Sequence, residues 1–121
     1  MQGGIEEELL RAVAEKRGLI LEASGPGFRL RHPEAPLFIE VRRTSRGILV
    51  RLGYESLRDY IRDVVDTETD PRGVVEELVD ELAMTAYELA EQLRGKGHRV
   101  VLDTRTAAMD VLGELEEAEE E

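Results

Sequence analysis

The chain contains no cysteine and no tryptophan, and only two phenylalanines and three tyrosines among its 121 residues. Without cysteine there can be no disulfide scaffold, thiolate zinc site, iron–sulfur cluster or cysteine nucleophile. No stretch approaches the roughly 20 consecutive apolar residues of a spanning helix. No basic start leads into an apolar run with a small-residue cleavage site, so a cytoplasmic protein with no membrane partner is expected. Lysine is almost missing too: only Lys16 and Lys96 accompany fourteen arginines. That bias fits a GC-rich genome or a hot-growing source whose surface is laced with ion pairs.

What is present is apolar mass and charge. Hydrophobic residues make up 41% and charged residues 36% of the chain, enough for one core beneath an ionised surface. A single domain over 1–121 is expected, with 116–121 as a frayed acidic tail. The net charge of −11 is unevenly spread: residues 1–27 carry −2, residues 28–62 carry +4 and residues 63–121 carry −13. The middle of an acidic protein is basic.

Residues 5–17 place Ile5, Leu9, Ala12 and Val13 on one helical stripe, closed by Gly18. Period-two alternation follows. Leu19–Ser24 reads as a strand before a Gly25–Pro26–Gly27 turn. Phe28 and Leu30 then alternate with Arg29 and Arg31. Leu37, Ile39 and Val41 alternate with Phe38, Glu40 and Arg42, and Ile48, Val50 and Leu52 with Leu49 and Arg51. These strands predict an antiparallel meander of three to four strands over residues 19–52. Helical spacing returns with Leu57, Tyr60, Ile61, Val64 and Val65, opened by a Ser56…Asp59 pair that approximates a capping box. Asp70–Pro71 starts a longer helix to about Arg94, with Asp70 as N-cap. Gly95–Lys96–Gly97 ends it, 99–102 reads as a further strand, and Asp103 or Thr104 caps a last helix through Leu115. The predicted fold is α+β: a short N-terminal helix, the meander, then two helices, the extra strand and a C-terminal helix, all helices packed on one sheet face.

Two surfaces stand out as candidates for binding. The alternation sends Arg29, Arg31, Phe38, Arg42 and Arg51 to the sheet face opposite the core. Guanidinium groups with an aromatic are what a sheet needs to read nucleic acid, but a pI near 4.7 and a single aromatic weigh against that partner. Pairing of those arginines with Glu40 and the neighbouring acidic helices, or across a subunit contact, is the expected use. The second candidate is the stripe Val75, Val79, Leu82, Ala86, Leu89 and Leu93. By default it is a core helix, but Val74, Met84 and Tyr87 lie beside it, and a sheet of short strands covers only part of so wide a surface. A second copy of the chain is therefore the expected partner along that helix.

Other patterns fail on their own chemistry. Asp66, Glu68, Asp70 and Glu77 match the ligand spacing of a calcium loop, yet Pro71 stands where a left-handed glycine is required. His32 and His98 lack any metal-ligand spacing, and Ser24, Ser45 and Ser56 lack a nucleophile context. No metal or cofactor is expected.

In size, low pI and element order over residues 5–52 the chain resembles secretion-chaperone-like α+β dimers. The helix pair at 55–94 departs from that order, and neither residues nor function are carried over. The expected function is a non-catalytic protein-binding or adaptor module acting as a homodimer and binding another protein. Nucleic-acid binding on the arginine face is the alternative, and a small enzyme using carboxylates such as Asp66, Glu68 and Asp103 is the second alternative.

Overall fold

A computed structural model describes residues 5–120. The expected α+β architecture is present. The helix α1 (Glu7–Arg17) leads into β1 (Ile20–Ser24), β2 (Gly27–Arg31), β3 (Leu37–Thr44) and β4 (Gly47–Tyr54), followed by α2 (Leu57–Thr67), α3 (Pro71–Gly95), β5 (Val100–Asp103) and α4 (Arg105–Glu120). The first four strands form an antiparallel meander, and the fifth joins the outer edge of β4 in parallel, giving one sheet in the order β1-β2-β3-β4-β5. A parallel neighbour requires a crossover, and α2 and α3 supply it.

Turn chemistry sets the registers. Ser24 pairs with Gly27 across the two-residue connection Gly25–Pro26, with Gly25 at φ 55°. Thr44 pairs with Gly47 across Ser45–Arg46, and Gly47 sits at φ 120°, where side chains are rarely tolerated. A Cβ at Gly47 would also strike the Arg99 carbonyl, so this glycine is what lets the chain entering β5 come against the hairpin.

Period two then sorts the side chains. Leu30, Ile39, Val41, Ile48, Val50, Leu52 and Val100 share one face and are 9% exposed or less. They join a core with Leu10 and Val13 of α1, Ile61 and Val64 of α2, eight buried apolar positions of α3, and Val111 and Leu115 of α4. α3 packs on β3, β4 and β5, α1 beside it on β1, and α4 on β4 against α2. The four described helices therefore pack on one side of the sheet, and among the described residues the other face is bare, bordered at its β4–β5 end by the first turns of α4.

Some helix ends differ from their sequence reading. Asp70 caps α3 as expected, accepting from Gly73 N at 3.1 Å. Ser56 does not cap α2: it sits in the left-handed region at φ 51° and makes no side-chain cap hydrogen bond. A left-handed residue turns its side chain away from the first helical N–H groups, so the Ser56…Asp59 spacing cannot close a capping box. The acidic run 116–120 continues α4 as helix, with Ala118 packed on the core and Glu119 paired to Arg72 at 3.2 Å. None of the described helices is long and apolar enough to cross a membrane.

Candidate binding face

The strand registers bring five ionisable residues into one row across the bare face. Glu22 pairs with Arg29, Arg29 with Glu40, Glu40 with Arg51, and Arg51 with Asp103, one residue per strand from β1 to β5. The signs alternate along the whole row. Opposite charges on neighbouring strands are the favourable cross-strand combination, so the row also supports the register that creates it.

The side chains close into pairs. Arg51 Nε donates to Glu40 Oε1 at 2.6 Å, and Arg42 Nε lies 3.3 Å from the other carboxylate oxygen. Glu40 is thus held between two guanidiniums, and its side chain is only 17% exposed. Arg31 Nε reaches Glu22 at 3.3 Å, and Arg29 Nη1 reaches Glu55, just beyond β4, at 3.3 Å. Each of the four arginines singled out from the sequence has a carboxylate partner. The partners are acids of the sheet and its rim, not of the acidic helices.

Phe38 occupies the next row, with Arg31 on one side and Gly53 on the other. Although no described helix covers this face, Phe38 is 7% exposed. Its ring lies over Gly53, where an added Cβ would sit 2.6 Å from the ring's Cζ. Above it the Arg29 Cζ stands 4.1 Å from the ring centroid, a cation–π stack. Arg29 Nε is shielded from solvent and makes no hydrogen bond among the described residues. The negative ring face beneath that guanidinium offsets the cost of the missing hydrogen bond. Glycine below and arginine above make Phe38 a closed shelf.

The rest of the face is mildly apolar. Ile20 and Val101 are about two-fifths exposed, and Leu49 lies half-buried between Arg42 and Val101. Beside the row, a cavity of about 350 Å³ is lined by Arg29, Phe38, Arg51, Tyr54, Asp103 and Asp110, among others. Asp103 accepts from Arg105 N and Thr106 N at 3.0 and 3.1 Å and from Thr106 Oγ1 at 2.9 Å. These bonds, the Thr106 amide foremost, hold its carboxyl below the usual range. Across the cavity Tyr54 OH donates to Asp110 at 2.9 Å, and that carboxylate raises the phenol above its ordinary value.

The helical candidates lie elsewhere. Val75, Val79, Leu82, Ala86, Leu89 and Leu93 are between 0% and 6% exposed, all inside this chain's own core. Their four-three spacing faces the sheet, so they present no stripe to a second copy. Of the residues beside them, Met84, Tyr87 and Val74 do remain exposed. The surrounding α3 surface carries Glu76, Glu77, Asp80 and Glu81, all exposed. Asp66 and Asp103 line separate cavities, the former with Arg62 and Glu119. Among the described residues, no group of three or more histidines and carboxylates is placed to hold a metal ion.

Glu22, Gly53, Glu55 and Asp103 escape the sequence reading of this face. Carrying period two back through the Gly25–Pro26 turn would find Glu22. No local signal finds Asp103, since its place depends on β5 joining β4. The chain matches no family model, no curated protein and no solved structure.

Proposed function

We propose that this protein is a non-catalytic binding module that docks another protein surface on its bare sheet face. The observation that carries this reading is the alternating row Glu22–Arg29–Glu40–Arg51–Asp103, whose arginines are paired with carboxylates within the face. An open sheet surface of mixed and mutually satisfied charge, edged by Ile20, Leu49 and Val101, suits a protein surface of similarly mixed charge. Polyanion binding draws on unpaired cations and open aromatic faces. Glu40 takes up two of the four guanidiniums, and Arg29 covers the Phe38 ring.

Two measurements test the reading. The Arg31→Glu/Arg42→Glu double variant, checked for folding by circular dichroism, is expected to lose the proteins that wild type retains from cell extract. An unchanged set would overturn the docking face. A fluorescent single strand of about 20 nucleotides at low salt is expected to bind neither protein; tight binding that falls steeply with salt would favour the nucleic-acid reading instead.

A further inference from the structure

We propose that the occupant of the bare face is a second copy of this chain, docked about a twofold axis that runs parallel to the strands between β3 and β4. This rests on the sheet face being a docking surface and names its partner.

Charge over the whole molecule limits where two copies can meet. At −11 the copies repel, and residues 63–121, which carry most of the helical layer, hold −13. The bare face is where acids are scarcest, with Arg29, Arg31, Arg42 and Arg51 against Glu22, Glu40 and Asp103. Approach through the helices would oppose acid to acid.

The alternation then selects the axis. For two sheets stacked face to face, the twofold lies in the plane between them. An axis perpendicular to the strands and over the row sets each of its residues against itself, like charge on like, and one displaced along the strands sets the row against residues outside it. An axis parallel to the strands and over β3 sets Glu40 against the partner's Glu40 and Arg29 against the partner's Arg51, again like on like. Moving that axis by half a strand spacing, about 2.4 Å, reverses every contact. Glu40 then faces the partner's Arg51, and Arg29 faces the partner's Asp103. The equivalent shift toward β2 also alternates signs. Only the axis between β3 and β4 centres the overlap on the two eight-residue strands. Around it, two Glu40 and two Arg51 side chains form a square of alternating charge, extending the pair already made within each chain at 2.6 Å.

Size sets the strength. Of the four overlapping strands β3 and β4 have eight residues each, β2 five and β5 four, and at about 3.4 Å per residue and about 4.8 Å spacing they cover about 400 Å² per copy, or about 800 Å² in all. That is below the roughly 1,200 Å² at which stable specific interfaces begin, so association is expected to be weak, transient and salt-sensitive.

The test is a charge exchange read by sedimentation equilibrium at low salt. Glu40→Arg alone opposes two arginines to two arginines at the axis, and Arg51→Glu alone opposes four carboxylates. Each is expected to associate at least about tenfold more weakly than wild type, while their equimolar mixture regains wild-type association as a heterodimer. A monomeric wild type at millimolar concentration would overturn the proposal, and so would a mixture no more associated than its components.

Because the chain has no cysteine, a single Val101→Cys can carry a spin label on otherwise unaltered protein. With β5 over the partner's β2, three strand spacings and a sheet separation of about 10 Å place the two labels about 20 Å apart. A label at Met84→Cys should lie beyond about 35 Å from its counterpart across two outer helix layers. Close Met84 labels with distant Val101 labels would overturn the proposal in favour of another interface. A monomer whose captured proteins still depend on Arg31 and Arg42 would overturn self-docking but leave the docking face. A monomer without that dependence would overturn both.

Discussion

Removing the Phe38 ring tests whether the bare face is organised or merely uncovered. An aromatic on a solvent-facing sheet surface would ordinarily be worth little, because exposed side chains tolerate substitution within about 0.5 kcal/mol. Phe38 is instead 7% exposed, between Gly53 and Arg29. Burial of a phenylalanine at that level is worth about 1.5–3 kcal/mol. The guanidinium stack adds about 0.5–1 kcal/mol at a partly exposed site. Little cavity cost is added, since water can enter from the open side. Phe38→Ala is therefore expected to cost about 2–4 kcal/mol in urea unfolding followed by circular dichroism. At this chain length that corresponds to a melting temperature lower by about 8–16 °C. Phe38→Leu keeps most of the burial but removes the ring, so it should cost about 1 kcal/mol. A double-mutant cycle with Arg29→Ala should return a coupling of about 0.5–1 kcal/mol. If Phe38→Ala unfolds within about 0.5 kcal/mol of wild type, the ring is not held between Gly53 and Arg29 and the shelf does not exist in solution.

The remaining expectations concern what fastens the elements. Glu88 on α3 binds Lys16 at 2.9 Å and Arg17 at 2.7 Å at the end of α1, and these bonds, with Arg17 the larger influence, hold its carboxyl below the usual range. Its contribution is thus present above the ordinary carboxylate range and lost as pH falls through the depressed value. Glu88→Gln should cost up to about 1 kcal/mol at neutral pH, because both cations are solvent-exposed, and the cost should vanish in acid. Gly47→Ala meets both a φ of 120° and the Arg99 carbonyl, so a loss of about 2–4 kcal/mol in denaturant titration is expected. An effect below about 0.5 kcal/mol would show that β5 does not dock there. Asp110→Asn removes the carboxylate that raises the Tyr54 phenol, so ultraviolet titration should show that ionisation moving down toward its ordinary value. No movement would mean the 2.9 Å contact is absent in solution.

How much of the fold and the face is legible in the sequence follows from the range of the interaction concerned. Alternation in β2, β3 and β4 is local, so residue order alone places Arg29, Arg31, Phe38, Arg42 and Arg51 on one face. The glycine turns mark the hairpin ends for the same reason. The row itself needs nonlocal pairing. Asp103 joins it only because a parallel strand returns after two helices, and Glu22 only because of the register that Gly25–Pro26 imposes. The breadth of the α3 stripe is visible in its spacing, but its coverage depends on α1, α2 and α4 arriving beside it. Ser56 shows the limit of motif spacing: one left-handed dihedral, set by how β4 turns into α2, disables a cap that the residue types allow. Phe38 shows another, since its burial comes from the absence of a side chain on a different strand.

The most direct test of the bare sheet face as the working surface is a concentration series of backbone amide spectra, from micromolar to millimolar protein, with assigned resonances. Shifts are expected to be confined to Arg29, Glu40, Leu49, Arg51, Val101 and Asp103, with Glu22, Glu76, Met84 and Met109 unmoved. Shifts centred on Met84 and Tyr87, or none at any concentration, would contradict it.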